Sequence, residues 1–363
     1  MKFVDMIEEI VKTATDLIKF PSVHNRPRDR RACADYIEKF FSVRGLSCEV
    51  WEPGDVRSLV VRLGEGEPVV CLNGHYDVVE AMAEDFRPRH SGDHLYGRGS
   101  ADMKTSLAAM MVFVAELSKR EAPPPVALMI SGDEETGGHK STDHILKSGF
   151  KCDFAIAGEP TGLAVANQSK GILGIELTSK GTAGHSARPW EGENAIFNFF
   201  RQFPAVWEIF GEPEPYEWQT TMVPTVLNAG ESVNRIPDRC RCRIDIRYVP
   251  MDTPGELLSR IKKAAPELEP RVVEEGKAFF TEPDNRYLNL LRQSAAHVLT
   301  YDPGFINKHA SSDARHFTEQ GIPAAVFGPG GANIHGKGEW VDLRQVDKFY
   351  RILHEFIDKS TFI

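Results

Sequence analysis

Short apolar runs alternate with helical patterns through the first 170 residues, and this alternation restricts the fold more than any other feature of the sequence. Runs at 59–62, 69–72, 126–130 and 154–157 are apolar and too short for core helices. Between the second and third lies Thr105–Leu117, a long helical pattern rich in Ala, Met and Leu. Strands alternating with helices place this part of the chain in the α/β class, with a mixed, mostly parallel sheet. In such sheets functional residues gather in loops at the carboxyl ends of strands. From about 171 to 281 the pattern changes. Residues 171–179 and 241–249 read as strands, and 195–203 and 253–265 as helices, which suits a small α+β domain. Alternation resumes at 282, with an apolar run at 324–327 and a C-terminal helix over 343–357. The expectation is one α/β domain made from 1–170 and 282–363, with an α+β domain of 171–281 inserted into it. A length of 363 residues agrees with two folding units, since a single core rarely grows past about 250–300 residues.

Composition removes several function classes. Lys and Arg number 43 and Asp and Glu 52, a formal charge of −9. An acidic surface argues against nucleic acid or an anionic membrane as the main partner. No run of apolar residues is long enough to span a bilayer. Near the N-terminus, Asp5, Glu8, Glu9 and Asp16 interrupt any export-signal hydrophobic region, while Phe3, Ile7, Ile10, Ala14, Leu17 and Ile18 fit one face of a helix. Six cysteines in a chain this long, without an export signal, do not make a disulfide framework. Cys240 and Cys242 are two apart in a strand-like run and share a face, which favours two buried thiols over a metal site, and the expected compartment is the reducing cytoplasm.

Five segments concentrate His, Asp and Glu. His75 and Asp77 follow the run at 69–72, and their spacing fits either a surface pair or a metal-ligating His held by a carboxylate. Asp102 follows the glycine loop Gly97-Arg98-Gly99 and opens the long helix, as a cap or as a ligand able to bridge two cations. Asp133, Glu134 and Glu135 follow the run at 126–130 and sit beside Gly132, Gly137 and Gly138. Three adjacent acids repel one another, so a cation is the better account of them. One acid can then bind metal while its neighbour takes a proton. Glu159 follows 154–157, and His335 closes the glycine-rich stretch after 324–327. Each of these two reads alone as turn chemistry or as a ligand. Together, the mixed His and carboxylate set suits zinc, with cobalt or manganese as alternatives.

The ordered set of segments resembles the co-catalytic zinc amidohydrolases that include succinyl-diaminopimelate desuccinylase, acetylornithine deacetylase, aminoacylase and carboxypeptidase G. The resemblance runs through 74–79, 97–104, 133–138 and 158–161, then Gly184-His185-Ser186-Ala187-Arg188-Pro189, Asn234-Arg235-Ile236-Pro237, Asp245-Ile246-Arg247, Ser312-Asp313-Ala314-Arg315 and His335. It implies a zinc-peptidase-like catalytic domain with an inserted lid and dimerisation domain. It further implies two divalent ions bridged by Asp102, one completed by His75 and Glu159 and the other by Glu135 and His335. Asp77 would orient His75, Glu134 would be the general base, and the Asp102–Met103 peptide would be cis. His185 would reach the partner subunit's site and stabilise the developing oxyanion. Arg247 and Asn234 would hold substrate, with Ser311, Gly330 and Gly331 lining the pocket and Lys170 near it. Two departures stand out: Thr105 replaces a glycine after the Asp-Met-Lys unit, and His309-Ala310-Ser311 replaces a glycine-rich stretch.

The expected activity is metal-dependent hydrolysis of the amide bond of an N-acyl amino acid by a homodimer. A dipeptidase or carboxypeptidase of the same family is the alternative. A metal-binding or regulatory protein without catalysis is the alternative of another class, and the intact Glu134 speaks against it. A nucleotide-binding reading fails because no Gly-x-x-x-x-Gly-Lys-Ser/Thr unit is present.

Overall fold

The computed structural model describes residues 3–360, with side chains from Met6 onward. The chain divides into two compact units. The first comprises Met1–Gln168, Phe280–Asn307 and Ser312–Ile363, and the second Ser169–Phe279 and Lys308–Ser311.

The first unit is built on a mixed sheet. Its strands run in the order Glu49–Trp51, Ser58–Arg62, Val126–Ser131, Val70–His75, Phe154–Ala157, Ala324–Val326 and Val165–Ser169, with short strands beyond. Only the central four are mutually parallel. The flanking pairs are antiparallel. Val126–Ser131 and Val70–His75 are buried along their whole length, which is why they read as unbroken apolar runs rather than as alternation. Register aligns His75 with Ser131, and Ala157 with both Asn73 and Val326. The four parallel strands therefore end at one edge, and the segments that follow them emerge side by side.

Thr105–Leu117 lies under this sheet, packed against the helices Phe3–Ile18 and Leu343–Ser360. All of its residues except Glu116 are buried. An apolar surface on every side is what a helix covered on every side requires. Truncating Leu107 to Ala would cost about 2–5 kcal/mol. The helix Phe3–Ile18 buries Met6, Ile10, Ala14, Leu17 and Ile18; Phe3, placed on that face by the sequence pattern, lies outside the described side chains. Asn285 starts Arg286–Leu299 by accepting from the Tyr287 and Leu288 amides. No described helix is long and apolar enough to cross a membrane.

The second unit is a four-stranded antiparallel sheet in the order Thr221–Ala229, Arg239–Tyr248, Gly171–Lys180, Glu269–Gly276. Strand Arg239–Tyr248 alternates strictly: Cys240, Cys242, Ile244, Ile246 and Tyr248 are buried and join a core with the helices Ala195–Phe210 and Pro254–Ala264. Both cysteines are free buried thiols. Ala195–Phe210 continues seven residues past the expected end at Phe203, straight through Pro204. A proline keeps helical φ and loses one hydrogen bond, and Val206 beyond it is buried in the same core.

Candidate metal centre

The loops at the carboxyl edge of the first unit bring six side chains together. His75, Glu134 and Glu159 offer ligand atoms within 4.8 Å of one another, and so do Asp102, Glu135 and His335. Asp102 faces both groups: its Oδ1 is 3.2 Å from His75 Nε2 and its Oδ2 is 3.4 Å from His335 Nε2. Glu159 Oε1 lies 3.3 Å from His75 Nε2, and Glu135 Oε2 lies 3.2 Å from His335 Nε2. Glu134 Oε2 stands further back, 3.9 Å from His75 Nε2.

The electrostatics of the cluster need cations. Asp102, Glu134, Glu135 and Glu159 converge in a largely buried space. Burial and the neighbouring Glu159 push the Glu134 carboxyl well above its ordinary range. Burial likewise raises Glu135, whose Oε1 is buried without a hydrogen-bond partner. Hydrogen bonds to Asp102 and Glu135 push His335 up to about 10. Two divalent ions would balance the four carboxylates, take up the idle Glu135 oxygen and accept the two imidazole nitrogens. The donor set, imidazole and carboxylate, is the one zinc and related ions prefer. The residues present therefore fit a pair of divalent metals.

The supports of these ligands are specific. His75 Nδ1 donates to the backbone carbonyl of Asp77 at 2.9 Å, which leaves Nε2 free for metal. The Asp77 carboxylate is 3.5 Å from the same Nδ1, and it also accepts from the amides of Glu134 and Glu135 at 3.2 and 3.0 Å. Asp77 thus orients His75 chiefly through its backbone, while its side chain fixes the turn carrying the two glutamates. Asp133 points elsewhere, accepting from the Lys140 amide and the Ser141 hydroxyl. At Gly138, φ is +67° and a Cβ would meet Asp313 Oδ1 at 2.2 Å, so the turn's path requires glycine. Asp313 ties the strand end to the next helix through Ser131 Oγ and Thr142 Oγ1. The Asp102–Met103 peptide is cis. Lys104, fully buried, donates to the Leu17 and Phe20 carbonyls.

One residue of the site escaped the sequence reading. Glu339 is 2% exposed and accepts from the amides of Gly99, Ala101 and Asp102 at 2.9–3.1 Å. Arg98 Nη1 donates to it at 2.6 Å. This carboxylate holds the loop that presents Asp102. The available signal was Arg98, a cation inside a glycine loop that needs an anionic partner.

In the second unit, His185 and Arg235 form an isolated bridge, and Ser186 N donates to the Asn234 carbonyl, so His185 and Asn234 are neighbours. Both are exposed. His185 Nδ1 accepts from the Ala187 amide at 3.1 Å, leaving Nε2 toward solvent. Arg247 is paired in a fork with Asp245, at 2.8 and 3.0 Å. Ser311 is partly buried in this unit. Lys170 is 3% exposed, lies 5.8 Å from the Trp218 ring centroid, and is lowered by burial. In the first unit, Gly330 N donates to Gln345 Oε1 at 2.8 Å, so its amide is already engaged, and Gly331 pairs with Val341.

The profile of Peptidase family M20/M25/M40 matches residues 71–359, a span that contains all six clustered side chains. The chain belongs to this family. Succinyl-diaminopimelate desuccinylase of Gluconobacter oxydans is 31% identical over 331 residues, covering 84% of this chain and 86% of that protein. The enzyme of the same name from Rhodospirillum centenum is 31% identical over 384 residues, covering 96% and 97%. Among solved structures, an M20 family metallo-carboxypeptidase from Sulfolobus solfataricus superposes with a TM-score of 0.80 at 18% identity, covering 98% of this chain and all of that one. A Staphylococcus aureus tripeptidase gives the same TM-score at 16% identity, covering 98% and 99%. These two likenesses concern the fold. As an M20 peptidase, the protein is a metal-dependent hydrolase of amide or peptide bonds in small acyl-amino-acid or peptide substrates.

Proposed function

We propose that this M20 hydrolase removes the acyl group from an N-acyl amino acid by hydrolysing its amide bond. The observation that carries the reading is Glu134, a carboxyl set back 3.9 Å from His75 Nε2 beside two ligand groups that share Asp102. When bound, two divalent ions supply Lewis acidity and bring the pKa of water to about 7. His75, Asp102 and Glu159 would hold one ion, and Asp102, Glu135 and His335 the other. Glu134 is left as the proton carrier: it takes a proton from water and returns it to the leaving amine.

The choice of a deacylase over a peptidase rests on relatives named succinyl-diaminopimelate desuccinylase at 27–31% identity. A dipeptidase or carboxypeptidase is the second reading, favoured by the fold likeness to enzymes with those names. His185 is assigned to the oxyanion, acting from the partner subunit, and Asn234 and Arg247 to the substrate. A substrate carboxylate would displace Asp245 from the Arg247 fork, exchanging one charged pair for another. Strand Thr221–Ala229 forms a sheet edge with Val223, Val226 and Leu227 exposed, which suits pairing with a second copy. The six free cysteines suit a reducing compartment such as the cytoplasm.

The test is a panel of N-acetyl and N-succinyl amino acids and dipeptides, assayed with zinc, cobalt and manganese. The reading expects the acyl amino acids to be turned over well ahead of the dipeptides. Preferential turnover of dipeptides would replace the deacylase assignment with a peptidase one.

A further inference from the structure

A second grouping of ligand-type side chains lies behind the turn that carries Glu134 and Glu135. His316, on the helix Ala314–Glu319, is 2% exposed. Its Nε2 is 2.9 Å from the Gly137 carbonyl. A carbonyl oxygen only accepts, so the ring proton sits on Nε2 and Nδ1 presents a lone pair. Arg315 Nε approaches the same Nε2 at 3.4 Å, a longer contact that the carbonyl bond overrides. Nδ1 is buried without a hydrogen-bond partner. It faces Asp143 Oδ1 at 3.8 Å, too far for a hydrogen bond, and burial holds the ring below its ordinary proton affinity. Two acceptors thus face each other, the imidazole one fully buried, with no donor between them. Glu319, three residues further along the same helix, brings a carboxylate oxygen within 4.8 Å of both.

We infer that Asp143, His316 and Glu319 form a third cation site, apart from the paired centre, which takes a zinc-type divalent ion. The ligands would be Asp143 Oδ1, His316 Nδ1 and one Glu319 oxygen. An imidazole with two carboxylates selects zinc-like ions over magnesium or calcium, and three protein ligands leave one position for water. A ligating histidine whose other nitrogen donates to a carbonyl is the usual arrangement around such metals, and the Nε2 bond to Gly137 supplies it. Lys147 Nζ already occupies Asp143 Oδ2 at 2.7 Å. It leaves Oδ1 available and competes electrostatically with an incoming ion. Because Gly137 closes the turn after Glu135, an ion on His316 would strengthen the bond that steadies the turn. The site stands on its own geometry and does not depend on the deacylase reading.

The experiment equilibrates the full chain with graded buffered zinc and measures bound metal by elemental analysis. The wild type is expected to bind three equivalents. Glu319→Gln and His316→Gln are expected to bind two, and Lys147→Ala to bind the third about fivefold more tightly. Glu319 is partly exposed, so Glu319→Gln gives a folded variant even if His316→Gln does not fold; circular dichroism checks both. A wild type saturating at two equivalents, or a Glu319→Gln protein still taking three with unchanged affinity, would overturn the proposal. Asp102→Asn is expected to lose metal from the paired centre and keep the third equivalent. Inactivity on the acyl amino acid panel leaves these counts unchanged, so the two readings fail separately.

Discussion

The two units arrange the side chains proposed for function in opposite ways. In the first, the backbone holds much of the metal cluster and its supports: Asp77 by two amides, His75 by a carbonyl, and the Asp102 loop by three amides converging on Glu339. In the second, His185 and Asn234 are exposed on facing loops, and Arg247 is held only by its neighbour Asp245. Buried, multiply anchored groups keep their geometry without substrate, which is what stabilising a transition state requires. Exposed side chains held by one local partner can exchange it, which suits groups that must adapt to a ligand.

If that contrast is sound, damage to the first unit should abolish chemistry and damage to the second should alter it. Exhaustive chelation is expected to remove activity to background, with recovery on adding zinc or cobalt; full activity after metal removal, confirmed by elemental analysis, would break the contrast at its base. Glu134→Gln should lower kcat by about 10²–10⁴-fold while metal content stays near that of the wild type. In the second unit, His185→Ala should lower kcat by about 10²–10³-fold. Mixing that variant with Glu134→Gln should restore part of the activity if two chains share a site, and a mixture as inactive as its parents would confine His185 to its own chain. Glu339→Ala should weaken metal retention by about 10–100-fold, read by dialysis against a competing chelator, with Glu339→Gln intermediate. The smallest effect belongs to a residue remote from either group: Asn285→Ala should cost about 1 kcal/mol of stability, read as a lower Tm with kcat unchanged.

The sequence conveyed the cluster because its members follow strand ends and carry glycines, both visible as local patterns. Apolar runs at 126–130 and 154–157 led directly to Glu134, Glu135 and Glu159. It did not convey Glu339, whose partners lie more than 230 residues away in the chain and leave no local periodicity. It conveyed the importance of Asp77 but not the division of labour between its carbonyl and its carboxylate, which depends on where the Glu134 turn folds back. The sheet read as mostly parallel because burial makes strands apolar whatever their direction. Antiparallel Ser58–Arg62 is as buried as its parallel neighbours. The helix expected to end at Phe203 runs on through Pro204, because Val206, buried past it, outweighs one missing hydrogen bond.

The grip of Glu339 on the amides of residues 99, 101 and 102 also fixes an order of events during synthesis. The loop that presents Asp102 leaves the ribosome more than 230 residues before the carboxylate that holds it, and His335 arrives only four residues ahead of that carboxylate. Between the synthesis of Glu159 and that of Glu339, a growing chain can display His75, Asp102, Glu135 and Glu159 without the closing clasp. Full metal affinity is therefore gained only once residues 335–339 have been made, so a chain interrupted before residue 335 should compete poorly for zinc.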